Sequence, residues 1–232
     1  VELLIKELRP DLVINCSGLL IEDCEFNSKD AILLNAYLPN LLVVLCNKFN
    51  SKLIQISTDC VFSGKNPPYS ENSVKDGESI YSKTKALGEI DGTNHLTIRT
   101  SVIGPDLRSD GRELFSWFMR QEKEIEGYTK SIWSGISSIQ LGKSIKEFID
   151  HDISGIYNLS SNEAISKYEL LTLLNHSTNK GLDIKKTEGV ATNKTLIDNR
   201  RLLIQEIPSY EEMVLEMVRF IRSSPSYAHY IL

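Results

Sequence analysis

The chain has 232 residues, 41% of them hydrophobic, enough for one substantial core or a large lobe with a smaller one attached, which excludes disorder as its main state. With 26 Lys and Arg against 31 Asp and Glu the net charge is -5, so neither nucleic acid nor an anionic membrane surface is an expected partner. Four cysteines, Cys16, Cys24, Cys46 and Cys60, form no C-x-x-C pair and the histidines are scattered singly; this argues against a metal site and reads as buried reduced thiols of a cytoplasmic protein.

Residues 1–8 read as the last turns of an amphipathic helix running into Arg9-Pro10, so the chain is expected to begin in mid-domain. Neither a signal-peptide pattern nor a stretch apolar and long enough to cross a bilayer is read from the sequence. Residues 11–16 (DLVINC) form a short branched apolar run closed by Ser17-Gly18, as expected of a strand buried on both faces of a parallel sheet. Apolar positions at helical spacing over 31–49 predict a helix, and residues 52–57 (KLIQIS) predict a second buried strand. A helix over 79–91, with Ser79 as N-cap, and a strand over 96–99 (LTIR) follow. This alternation predicts the α/β class, with helices covering a parallel sheet.

Beyond Gly104-Pro105 the pattern changes. Residues 107–111 read as loop, 113–121 as helix, and 127–138 as irregular and aromatic. Residues 141–149 and 167–175 read as helices, the second opened by the capping box Ser166-x-x-Glu169; Ser209-x-x-Glu212 repeats that signature before a last helix toward Arg222. A boundary is therefore drawn between residues 1–105 and a second, smaller region over 106–232, with segments of the latter returning to the first core.

Tyr81 and Lys85 carry the most chemistry, because a spacing of four puts a phenol and an ammonium on one helix face. A phenol is a weak acid at neutral pH, and a nearby positive charge favours its ionised form; Tyr81 could then give and recover a proton. Ser57-Thr58-Asp59 lies directly after a buried strand, where open parallel sheets place ligands, and a hydroxyl there can hold a substrate carbonyl.

Ile56-Ser-Thr-Asp-Cys-Val-Phe-Ser-Gly64, the Tyr81/Lys85 pair and Ile98-Arg-Thr-Ser-Val-Ile-Gly104 resemble successive landmarks of the extended short-chain dehydrogenase/reductases, in the dTDP-4-dehydrorhamnose reductase branch. Asn15-Cys-Ser-Gly18 and Asn35-Ala-x-x-Pro39 are similar to the family segments beside the nicotinamide and in the helix that follows. The resemblance implies a Rossmann-like doubly wound sheet with a C-terminal substrate-binding region. It implies reduction of the 4-keto group of a nucleotide-linked deoxysugar by NADP or NAD, with the preference unassigned, for surface polysaccharide synthesis. Thr58 would bind the keto oxygen and Tyr81 would protonate it. Lys85 would hold the nicotinamide ribose and lower the phenol's pKa. Ser17, Gly18, Leu19 and Ser57 would lie against the cofactor, Gly18 by allowing close backbone approach; Asp59, Val102 and Trp133 would contact the sugar, with core packing an equal alternative for Trp133. A homodimer is left open.

Two positions depart from the family pattern. Cys60 replaces the usual Tyr and Val102 a frequent aromatic, so the resemblance points to a bulkier sugar, such as an N-acetylated 2,6-dideoxyhexose. No G-x-x-G-x-x-G follows an N-terminal strand, and the residue that selects NAD or NADP at the adenosine ribose is missing with it, so the chain is expected to be a fragment of a longer parent, with inactivity of the fragment by itself left open. The competing functions are an epimerase or dehydratase of the same fold and a non-catalytic regulatory or binding relative.

Overall fold

The computed structural model describes residues 1–92, 94–161 and 163–232. The chain first forms α1 (Glu2–Leu8), β1 (Leu12–Asn15), α2 (Ile21–Phe26), α3 (Ser28–Ala31), a π-helical turn (Ile32–Tyr37), α4 (Leu38–Phe49), β2 (Lys52–Thr58), α5 (Ile80–Leu87) and β3 (Leu96–Thr100). Next come β4 (Val102–Ile103), α6 (Leu114–Met119), β5 (Glu124–Tyr128), β6 (Ser131–Trp133), β7 (Ile136–Ser137) and α7 (Ser138–Asp150). The remainder forms β8 (Gly155–Asn158), β9 (Ile165–Ser166), α8 (Lys167–Thr178), β10 (Asp183–Thr187), β11 (Thr192–Asn193) and α9 (Tyr210–Ser223).

Two compact units emerge. The first comprises Val1–Thr100, Asp152–Leu159 and Leu196–Arg201. Its sheet is all parallel, in the order β1-β2-β3-β8. Every residue of β3 is buried, as required of a strand covered on both faces. The α/β class read from the alternation is thus the observed one. Leu42, Leu45 and Cys46 of α4 pack with Ile5, Leu53 and Ile90, and α4 is stopped by Asn50 in the left-handed region (φ 57°), whose N–H returns to the Cys46 carbonyl.

Several expectations need correction. The helix over 31–49 is not uniform but contains a π-helical turn at Ile32–Tyr37. The 22-residue stretch Ser28–Phe49 contains an 18-residue window of mean hydropathy 1.4, long and apolar enough to cross a membrane by length and composition alone, where the sequence reading found no such stretch. α5 ends at Leu87 rather than at 91, because the Ile90 N–H and carbonyl both go to the Thr97 hydroxyl instead of continuing the helix. Cys24 and Cys46 are buried, but Cys60 is half-buried and Cys16 exposed; all four are free thiols.

The second unit comprises Ser101–His151, Ser160–Thr195 and Leu202–Leu232, about half of the residues rather than a smaller appendage. The span 127–138, expected to be irregular, holds the end of β5 and all of β6 and β7. β5 pairs with β10, and β6 lies between β11 and β9. These strands are too short to show an apolar period of their own. Both capping boxes form, Ser166 with Glu169 and Ser209 with Glu212. α9 buries Met213, Val214, Met217, Val218 and Ile221, one stripe at helical spacing.

Candidate active site

The site is built at the carboxyl end of β2, within the first unit. Thr58 closes the strand and caps the tight turn that follows: its Oγ1 accepts from the Cys60 N–H at 3.1 Å, and its hydroxyl donates to Asp59 Oδ1 at 3.1 Å. α5 is started by Ser79, whose Oγ accepts from the Ser82 N–H at 3.0 Å. This cap fixes the helix register and so the direction of Tyr81 and Lys85 one turn apart. The Tyr81 phenol lies near enough to the Thr58 hydroxyl for the two to influence one another electrostatically. Lys85 Nζ donates to the Ile56 carbonyl at 2.8 Å, two residues before Thr58, and the residue is 8% exposed. Strand end and helix face therefore bring a hydroxyl, a phenol and an ammonium to one place.

Burial sets the electrostatics. It pushes the Tyr81 phenol well above the ordinary tyrosine range, reinforced by Cys60 and opposed by the nearby Thr58 hydroxyl. It pushes Lys85 down, opposed by the charge of Glu89 and by Cys16 and Cys24. In the free site desolvation dominates the phenol, and the Lys85 ammonium donates to a backbone carbonyl.

The loop after β1 lies beside this group. A Cβ on Gly18 would fall 2.9 Å from Asn35 Oδ1 and 3.9 Å from Lys85 Nζ, so only glycine fits between them. Leu19 is clamped by Asn35: its N–H donates to Asn35 Oδ1 at 2.8 Å and its carbonyl accepts from Nδ2 at 3.3 Å. The same Nδ2 reaches Thr84 Oγ1, between Tyr81 and Lys85 on α5, at 3.3 Å. Ser17 donates its N–H to Asn15 Oδ1 at 3.2 Å and its hydroxyl to the same atom. The hydroxyl of Ser57, expected at the cofactor, is instead donated to Glu89 Oε1 at 2.8 Å.

Val102 and Trp133 belong to the second unit. Val102, on β4, pairs with Ile136 and is 36% exposed. Trp133 is buried, donates its indole N–H to Ser101 Oγ at 2.8 Å and packs 5.6 Å from the Tyr210 ring, which is the core reading of this residue. Sequence reasoning gave no role to Gln55, Gly88 or Glu89, and placed Asn15 and Asn35 only within similar segments. The available signal was an amide inside an apolar run, since a buried amide needs partners. Gly88 is forced by contact: a Cβ there would sit 1.9 Å from the Asn35 carbonyl oxygen.

Comparison with known proteins agrees with this architecture. The chain is similar to the spore coat polysaccharide biosynthesis protein SpsK of Bacillus subtilis, 27% identical over 172 residues, covering 72% of this chain and 60% of that protein. It is also similar to methionine adenosyltransferase 2 subunit beta of Xenopus tropicalis, 27% identical over 184 residues, covering 73% of this chain and 55% of that protein. The chain thus spans little more than half the length of these relatives. Among solved structures, dTDP-4-dehydrorhamnose reductase from Bacillus anthracis in complex with NADP superposes with a TM-score of 0.82 at 23% identity, over 96% of this chain and 84% of that one. UDP-N-acetylglucosamine 4-epimerase from Methanobrevibacter ruminantium gives 0.79 at 16% identity, over 94% and 79%. At such identities the likeness speaks for the fold. The RmlD substrate binding domain family, however, matches through residues 1–201, and the chain belongs to that family.

Proposed function

We propose that this chain carries the catalytic groups of a nicotinamide-dependent reductase acting on the 4-keto group of a nucleotide-linked deoxysugar, in nucleotide-sugar and surface polysaccharide biosynthesis. The observation that carries the reading is the convergence of the Thr58 hydroxyl, the Tyr81 phenol and the Lys85 ammonium at the end of β2. The names of two similar proteins, a polysaccharide biosynthesis protein and a dehydrorhamnose reductase holding NADP, support it.

A keto oxygen entering between Thr58 and Tyr81 accepts from both hydroxyls, the Thr58 proton turning to it from Asp59 Oδ1. Reduction needs a phenol that starts protonated, and burial keeps Tyr81 in that form at neutral pH. As negative charge develops on the oxygen, Tyr81 passes it the phenolic proton while Thr58 continues to donate. Lys85, as an ammonium, stabilises the phenolate left behind. The residues fit the nicotinamide end of NADPH or NADH: the Ser17–Leu19 loop runs beside the Lys85 ammonium, with an ideal Cβ of Gly18 3.9 Å from Lys85 Nζ, so backbone groups and a cation face one place. Bound there, the reduced nicotinamide supplies the hydride.

The similarity to a methionine adenosyltransferase subunit favours one second reading, a regulatory subunit that binds the same ligands without turnover. Protein made from the complete coding sequence, assayed with NADPH and dTDP-4-keto-6-deoxysugars, separates them. The reductase reading expects turnover that Tyr81→Phe lowers by about 10²–10⁴-fold while NADPH still binds. Binding of both ligands with no NADPH oxidation supports the subunit; product formation without net NADPH consumption supports an epimerase or dehydratase.

A further inference from the structure

Gln55 is an anomaly in its strand. It lies inside KLIQIST, is 1% exposed, and stands in register with Asn15 of β1 and Thr97 of β3. Strand packing alone would be served by Leu or Val, and a buried primary amide costs stability unless its hydrogen bonds are made. Here they are made in one direction. Asn15 Nδ2 donates to Gln55 Oε1 at 2.7 Å, and Gln55 Nε2 donates to the Ile56 carbonyl at 3.0 Å. That carbonyl oxygen is the one that receives Lys85 Nζ at 2.8 Å. At the other end, Asn15 Oδ1 receives the N–H and hydroxyl of Ser17. A chain of donors thus runs from the Ser17–Gly18–Leu19 loop through Asn15 and Gln55 to the acceptor of Lys85.

A carbonyl oxygen has two lone pairs. With Gln55 on one, the ammonium is confined to the other, and its direction is set. Successive amides in such a chain also polarise one another, so a change at Ser17 is felt at the Ile56 oxygen.

We propose that Gln55 is a positioning residue that holds the Lys85 ammonium on one side of the Ile56 carbonyl and, through Asn15, couples it to the Ser17–Leu19 loop. Its relevance to turnover rests on the reading of Lys85 as part of a reductase site. The coupling itself does not. The titratable groups acting on Lys85 are Glu89 just past α5, Cys16 after β1 and Cys24 on α2.

The test uses the cofactor-free protein with ¹³C-labelled lysine, the Lys85 signal being identified by its loss in Lys85→Met. Gln55→Glu keeps the acceptor for Asn15 and adds a carboxylate, so the Lys85 titration midpoint rises by at least about one pH unit. Gln55→Leu removes both hydrogen bonds and weakens NADPH binding by about two- to tenfold. If wild-type protein turns over, the alkaline limb of kcat moves upward in Gln55→Glu in step with the midpoint. A Lys85 midpoint unmoved in Gln55→Glu overturns the proposal. An unchanged NADPH affinity in Gln55→Leu with a lowered melting temperature does so too, because it marks a packing role only. A shifted midpoint, in protein from the complete coding sequence that binds NADPH and the keto sugar without turnover, keeps the positioning and removes the reductase reading.

Discussion

Arg99 and Lys85 are both buried cations near the end of β2, and the fold treats them in opposite ways. Arg99, 1% exposed, forks onto Glu89 with bonds of 2.7 and 2.8 Å, donates to the Glu71 carbonyl at 2.9 Å and stacks 5.2 Å above the Phe62 ring. Glu89 also receives Ser57 at 2.8 Å and Lys75 at 3.2 Å. Lys85, four residues before that glutamate, has a carbonyl oxygen and, among the described residues, no carboxylate in ion-pair contact. A fully compensated pair ties the stretch after α5 to β3. An incompletely compensated ammonium strains against its burial and keeps donors available to a ligand, as functional sites often do.

The contrast can be broken by substitution. Arg99→Met leaves Glu89 buried without its main partner and should cost about 3–5 kcal/mol in urea unfolding, most of it recovered in the double variant Glu89→Leu, Arg99→Met. A loss below about 1 kcal/mol would remove the structural role. Ser57→Ala withdraws a hydroxyl from a charged acceptor and should cost about 1.5–3 kcal/mol without changing NADPH affinity. The reverse pattern, weaker NADPH binding at unchanged stability, would return Ser57 to the cofactor. Lys85→Met should have the smallest effect on stability, none or a gain at neutral pH, while removing turnover.

The pH dependence of Lys85 sharpens the same point. Because burial lowers its pKa below the ordinary 10.5, the folded chain binds fewer protons than the unfolded chain between those two values. Its contribution to stability therefore rises with pH across that window. Under the proposed reductase reading, turnover needs the ammonium and falls across it. Opposite slopes of urea midpoint and kcat in wild-type protein, and loss of the stability slope in Lys85→Met, are expected.

The main strands and helices of the first unit were legible because DLVINC, KLIQIS and LTIR are apolar runs too rich in branched residues to read otherwise, and the capping boxes announced two helices of the second unit. The strands at 124–137 were not, since β6 owes its existence to partners at residues 165–166 and 192–193 rather than to local propensity. Thr58, Tyr81 and Lys85 could be singled out from spacing and from their place after a buried strand. What spacing does not carry is register: that Asn15 lies beside Gln55, that Ser57 faces Glu89, and that Asn35 spans from Leu19 to Thr84 depend on pairings across the sheet and between helices. Charge proximity is visible in sequence, whereas the desolvation that raises the phenol's pKa in the free site is not.

The central claim is that Thr58, Tyr81 and Lys85 serve the reduction of one carbonyl. The most direct measurement incubates the protein with a dTDP-4-keto-6-deoxysugar and NADPH deuterated at the transferring carbon, and reads the sugar by NMR. The account predicts deuterium at the sugar carbon that bore the ketone, and its loss in Tyr81→Phe. A protein that binds both ligands and returns the ketone without label would contradict it.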